Sequence, residues 1–168
     1  MNFSEFEDAY EDMNSVREGA LETPLSEIMV HDPLTVDADS TVVAAVNVMN
    51  EKHTGCVLVQ RDGKLVGIFT ERDVLRKVIF RDGNRNWKVE SVMTPNPETL
   101  PPTASVAYAL NKMSVDGYRH IPIVEGGKPV GVVSVKDIIQ FVVEYFPDAV
   151  LNLPSDPDKA IAKNEDGG

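Results

Sequence analysis

The segment Gly67-Ile68-Phe69-Thr70-Glu71-Arg72-Asp73 returns sixty-four residues later, without a gap, as Gly131-Val132-Val133-Ser134-Val135-Lys136-Asp137. A repeat at fixed offset constrains the fold strongly. It implies two copies of one supersecondary unit, each too small to bury a full core alone. Sliding residues 25–78 onto 89–142 aligns 54 positions with 13 identities, among them Met29 with Met93, Pro33 with Pro97, Thr35 with Thr99, and Gly63-Lys64 with Gly127-Lys128. Average composition would give roughly three or four matches, so the excess reads as a duplication. Function is expected where the copies meet.

Each copy reads as strand, helix, strand, strand, helix. Leu34-Thr35-Val36 forms a first strand, and Asp39 or Ser40 caps a helix carrying Val42, Val43, Val46 and Met49 on one side. Strands at Val57 to Val59 and Leu65 to Phe69 flank the Arg61-Asp62-Gly63-Lys64 turn, where Asp-Gly supplies positive backbone angles. Thr70 opens a helix with Val74, Leu75, Val78 and Ile79 facing inward. The second copy follows suit: Thr103 caps Val106, Ala109, Leu110 and Met113, Gly126-Gly127 makes the hairpin, and Ser134 precedes Ile138, Ile139 and Val142. Six strands and four helices result, an α+β (α/β-like) fold of two β-α-β-β-α repeats. The divisions are an acidic, partly helical extension at 1–24, repeat one at 25–80, a connector at 81–88, repeat two at 89–146, and a tail at 147–168 that is largely disordered at its end.

The extension carries a capping-box pattern, Ser4 to Glu7, and a stripe of Phe6, Tyr10, Met13 and Val16, with Gly19 as its stop; docking and mobility are both open for it. Trp87 marks re-entry to structure and covers the joint between the repeats, or stacks on a ligand. The lone Cys56, between Gly55 and Val57-Leu58-Val59, fits a buried strand and allows no internal disulfide.

Net charge is -11, and the tails account for most of it. Residues 1–24 hold seven acids and one base, residues 147–168 five acids and two bases, and the body between them fifteen acids against thirteen bases. A near-neutral body with acidic ends opposes nucleic-acid or anionic-lipid binding, which needs a clustered basic face. No apolar run approaches the roughly 20 residues of a membrane span, and the acidic start does not match a signal peptide. A cytoplasmic protein is expected. His31, His53 and His120 share no metal-ligand spacing, and no nucleophile elbow or phosphate loop is present, so neither a metal site nor an enzyme is expected.

The repeated Gly-x-x-Thr/Ser-x-x-Asp element carries the chemistry. Glycine inside an apolar strand admits another backbone or a flat ligand. The hydroxyl and carboxylate then fall at a strand-to-helix junction, where N–H groups favour an anion and the carboxylate can accept two hydrogen bonds from a sugar diol. The same spacing is also a capping box. Both readings stay open, since a cap would be duplicated with everything else.

The stretch Leu25 to Val143 resembles a tandem CBS-domain pair, the Bateman module. The carrying motifs are Val66-Gly67-Ile68-Phe69-Thr70-Glu71-Arg72-Asp73-Val74-Leu75, Tyr118-Arg119-His120-Ile121-Pro122-Ile123-Val124, and the openings Ile28-Met29 and Val92-Met93. The resemblance implies two halves packed sheet to sheet about a pseudo-twofold axis, two clefts for adenosine-type ligands, and a homodimer. It puts ribose on Asp73 and Asp137 beside Thr70 and Ser134. Adenine would lie against Thr35-Val36 and Thr99-Leu100 and the strands from Val57 and Ile121, with Arg119, His120, Arg72 or Lys136 for phosphate. Arginine's planar fork favours it for phosphate. Where copy two has Arg119-His120-Ile121-Pro122, copy one has Gly55-Cys56-Val57-Leu58, so the Asp137 cleft is the better candidate for a charged nucleotide. Pro101-Pro102 replaces Asp37-Ala38, a departure that bears on the second adenine pocket. The implied ligands are AMP, ADP or ATP, with S-adenosylmethionine or NADH as alternatives, and a regulatory role read by an effector protein. The rival is a ligand-free scaffold.

Overall fold

The computed structural model describes residues 19–79, 81 and 86–147. The helix expected at Ser4 to Glu18 and the tail beyond residue 147 lie outside them. Among the described residues there are seven strands: β1 (Val30–His31), β2 (Thr35–Asp37), β3 (Cys56–Arg61), β4 (Lys64–Thr70), β5 (Thr94–Pro95), β6 (His120–Glu125) and β7 (Lys128–Ser134). Besides the helical residues 19–22 and the 3-10 turns at Leu25–Glu27 and Val89–Ser91, the helices that matter here are α1 (Val42–Glu51), α2 (Glu71–Asp73, continuing into a π-helical turn at Val74–Val78), α3 (Val106–Val115) and α4 (Val135–Tyr145). One sheet runs β2-β3-β4-β5 and the other β1-β7-β6.

The side-chain period of two sorts each hairpin into two faces. In the first sheet, Val57, Val59 and Phe69 turn toward α1 and α2 and join Val42, Ala45, Met49 and Val78 in a core. Their neighbours Cys56, Leu58 and Ile68 turn the other way and meet Val132 of β7. That second face is the seam, so the two halves pack sheet to sheet. Ile121, Ile123 and Val133 build the equivalent core with Val106, Ala109 and Ile138. Both hairpin turns have left-handed pairs, Asp62 and Gly63 at φ 52° and 72°, Gly126 and Gly127 at 57° and 80°. That is the geometry a two-residue hairpin demands.

The leaders of the two copies are exchanged. Leu25 and Met29, which open copy one, lie in the core of copy two, whereas Val89 and Val92, which open copy two, lie in the core of copy one. Leu25 N–H donates to Ala104 O at 2.8 Å, and Val89 N–H to Ser40 O at 2.8 Å. β1 pairs with β7, and β5 with β4. Glycine makes this possible. A Cβ on Gly131 would stand 2.5 Å from the Met29 sulfur, and one on Gly67 would overlap the Met93 sulfur. The space beside each strand glycine therefore holds a methionine from the other copy.

Several expectations are corrected. Seven strands replace six because β1 and β5 arise from the exchange, while the first strand of copy two shrinks to a single bridge, Leu100 with Ile123, beside Pro101-Pro102. Prolines lack the N–H a ladder needs. Thr41, not Asp39 or Ser40, caps α1, accepting from Ala44 N–H at 3.1 Å. Ser105, not Thr103, is the N-cap of α3. Residues 19–22 are helical, so Gly19 is no stop. Val43 is exposed because α1 covers the core through Val42, Ala45 and Met49, and Leu75, Ile79, Ile139 and Val142 are exposed because α2 and α4 cover it through Val74, Val78, Ile138 and Phe141. Trp87 packs, partly buried, on the first core.

Candidate functional site

A cleft of about 470 Å³ opens between the repeats. One wall comes from copy one: Asp32-Pro33-Leu34 ahead of β2, and Lys52 to Cys56 between α1 and β3, with Leu58 behind them. The other comes from copy two: Arg119 and His120 at the start of β6, and Ser134 to Asp137 where β7 becomes α4. Val30 and Val132 join the lining. The exchange shapes this cleft, because β1 lies on β7 and then delivers Asp32 to its rim. Asp32 has φ 51°, and its counterpart Asn96 has φ 46°. Asp and Asn tolerate that left-handed conformation best among residues with a Cβ.

Both aspartates form capping boxes. Asp137 Oδ2 accepts from Ser134 N–H at 2.7 Å and from Ser134 Oγ at 2.6 Å, and Ser134 Oγ accepts in turn from Asp137 N–H at 3.3 Å. Asp73 Oδ2 accepts from Thr70 N–H at 3.0 Å and Thr70 Oγ1 at 2.8 Å. The capping alternative is therefore real in both copies. The other oxygen differs: Asp73 Oδ1 pairs with Lys77 Nζ at 2.7 Å and accepts from Thr94 Oγ1 at 3.4 Å. Asp137 Oδ1 has no partner among the described residues, and Asp137 is part of the cleft lining.

Three bases, Lys52, Arg119 and Lys136, and two histidines, His53 and His120, face two acids, Asp32 and Asp137. The lining is locally basic in an acidic chain. His120 sits beside Gly55, where an added Cβ would come within 3.4 Å of the imidazole and of Glu71 Oε2. Burial holds His120 below its usual range, against the opposing pull of Asp137 and Glu71. Burial likewise pushes the Cys56 thiol up to about 12, so it is an inert part of the wall.

Of the sequence candidates, Arg119, His120, Ser134, Lys136 and Asp137 come together in this cleft. Thr70, Arg72 and Asp73 lie at the equivalent junction of copy one, across the seam. Val36, Val57, Leu100, Ile121 and Pro122 are buried, and the Leu100 N–H and Pro122 O are bonded to each other. Thr35 is half-buried and Thr99 exposed, and neither lines the cleft. Asp32, Lys52, His53 and Thr54 were not foreseen. Only the Asp-Pro and Asn-Pro pairs at matching positions hinted at a special turn. Among the described residues no cluster suited to a metal ion occurs, and no helix is long and apolar enough to cross a membrane.

Comparison with known proteins agrees with this architecture. The family model for the CBS domain matches residues 25–79 and 89–144. The CBS domain-containing protein CBSX3, mitochondrial, of Arabidopsis thaliana is 35% identical over 111 residues, a match covering 62% of this chain and 54% of that protein. The chain thus spans about half of that relative. An uncharacterized conserved protein from Pyrococcus horikoshii superposes with a TM-score of 0.67 at 31% identity, covering 71% of this chain and 92% of that one. Two further structures share the fold at lower identity: CBSX2 in complex with AMP (21%, TM-score 0.63, 72% and 96% covered), and the MJ0100 domain pair with 5-methylthioadenosine and S-adenosyl-L-methionine (23%, TM-score 0.66, 73% and 97% covered). With two tandem copies matched across most of its length, the chain belongs to the CBS-domain family.

Proposed function

We propose that the chain is a non-catalytic sensor module that binds an adenine nucleotide or adenosyl compound in the cleft beside Asp137. The observation that carries this reading is Asp137, with one carboxylate oxygen unpartnered among the described residues, in the lining of a cleft that also holds Arg119, His120 and Lys136. Its volume falls in the range of about 300–1,000 Å³ usual for small-molecule sites. Ribose hydroxyls would donate to Asp137, with Ser134 beside it. The phosphate would meet Arg119, His120 and Lys136, with Lys52 reaching from the opposite wall. Relatives of this fold bind AMP or S-adenosyl-L-methionine, which supports the ligand class.

A ligand tying both walls together would bias the angle between the halves, provided it binds two arrangements unequally. The exposed apolar residues Leu75 and Ile79 on α2, and Ile139, Val142 and Tyr145 on α4, support a homodimer built on these helices. An effector would read the geometry of that dimer.

The capping boxes favour a second reading, a ligand-free scaffold. A thermal-shift panel of AMP, ADP, ATP, S-adenosylmethionine and NADH separates the two. A sensor melts higher in a concentration-dependent way with at least one of them; no response to any of the five would leave the scaffold standing.

A further inference from the structure

The pseudosymmetry supplies an internal comparison. In copy one, Lys77 Nζ reaches three acceptors: Asp73 Oδ1 at 2.7 Å, Val92 O at 2.9 Å and Met93 O at 3.2 Å. An ammonium has three N–H groups, and here all three are used. The two carbonyls belong to the leader exchanged from copy two, so Lys77 ties the aspartate to the segment that crosses the seam. Asp73 is left 6% exposed, with both oxygens occupied. Sixty-four residues on, the counterpart of Lys77 is Phe141, which carries no donor, and Asp137 keeps an open oxygen.

We propose that Lys77 makes the module single-sited: it is a resident cation that commits Asp73 to the fold and leaves Asp137 as the one aspartate available to a ligand. The inference rests on the reading of the Asp137 cleft as the ligand site. A sugar diol approaching Asp73 would have to displace a charge-assisted pair that is half removed from water. It would also leave an ammonium with only two neutral acceptors. Copy one in addition has Gly55 where copy two has Arg119, so the arginine beside Asp137 has no counterpart there, and Arg72, in the place of Lys136, is the base that remains.

Two measurements test this, and they fail separately. In ligand-free protein, timed acetylation with mass-spectrometric mapping should modify Lys77 at least fivefold more slowly than Lys52 and Lys136. Equal rates would overturn the lock whatever binds. Calorimetric titration with AMP should give one equivalent per chain for the wild type, and Asp73→Asn should keep that stoichiometry with affinity within twofold. Two equivalents, or loss of a site in Asp73→Asn, would overturn the single-site claim. No AMP binding by the wild type would overturn it too, together with the reading it rests on, while the acetylation pattern still decides whether Lys77 is locked.

Discussion

Placing one methyl group on Gly67 tests the exchange of leaders that organises this protein. A Cβ there would lie 2.9 Å from both Cγ and Cε of Met93 and nearer still to its sulfur. Carbon atoms pack best at about 3.5–4.0 Å, so the thioether must leave its seat. Its backbone cannot follow freely, because the Met93 carbonyl accepts from Lys77 and its N–H is bonded to Val89 O. Overpacking of this kind costs about 1–3 kcal/mol, and a flexible side chain against a deep overlap places Gly67→Ala near 2 kcal/mol. For a domain of this size the melting temperature should fall by about 4–8 °C. The urea midpoint should fall by about 1 M. Met93→Ala alone should cost about 2 kcal/mol, the low end for such truncations, as Met93 is only partly buried. In the double variant the new methyl occupies the vacated space, so its stability should match Met93→Ala within about 0.5 kcal/mol. Additive effects, or an unchanged midpoint for Gly67→Ala, would refute the seating of Met93. Gly131→Ala should cost at least as much, since backbone also crowds that position: Val30 O lies 3.1 Å from its Cβ.

Other expectations follow from the same geometry. Thr41→Ala should lower stability by about 1 kcal/mol in urea melts through loss of the α1 cap, whereas Ser40→Ala should leave the midpoint in place. Asp137→Asn should weaken AMP by about 1–3 kcal/mol, roughly five- to 150-fold, by calorimetry; an affinity equal to wild type would remove Asp137 from the site. His120 is held below its ordinary range, so the unfolded chain takes the proton first: stability is full above about pH 6.5 and declines as pH falls below it. His120→Gln should flatten that decline in melts between pH 7 and 5. A bound phosphate favours the imidazolium, so wild-type affinity for AMP should rise on acidification more than affinity for adenosine. Cys56 should resist thiol reagents until the chain unfolds, with labelling tracking the urea transition.

The repeat, both hairpins and the helix order were legible because each rests on local rules: Asp62-Gly63 and Gly126-Gly127 for turns, alternating apolar residues for strands. The exchange of leaders was not, because Met29 and Met93 are apolar residues that fit either core equally well by pattern. Nothing local says which half Leu25 enters. The caps slipped by one or two positions because Asp39, Ser40 and Thr41 are all good capping residues, and only the chain's entry angle selects Thr41. Leu75 and Ile139 looked like core because helical periodicity marks an apolar stripe without saying which partner covers it. At the candidate site, Ser134, Asp137, Arg119 and His120 stood out through the duplicated motif and its departures. Asp32, Lys52 and His53 enter the same cleft only through the fold, from segments with no motif of their own. The inequality of the two aspartates depends on Lys77, whose role needs the carbonyls of an exchanged segment to be visible.

A crystal structure of the protein grown with saturating AMP tests the central claim most directly. The expected result is a nucleotide in the cleft between the repeats, its ribose hydroxyls about 3 Å from Asp137 Oδ1 and its phosphate beside Arg119 and His120. A well-ordered cleft without nucleotide, or a nucleotide held at Asp73 instead, would contradict it.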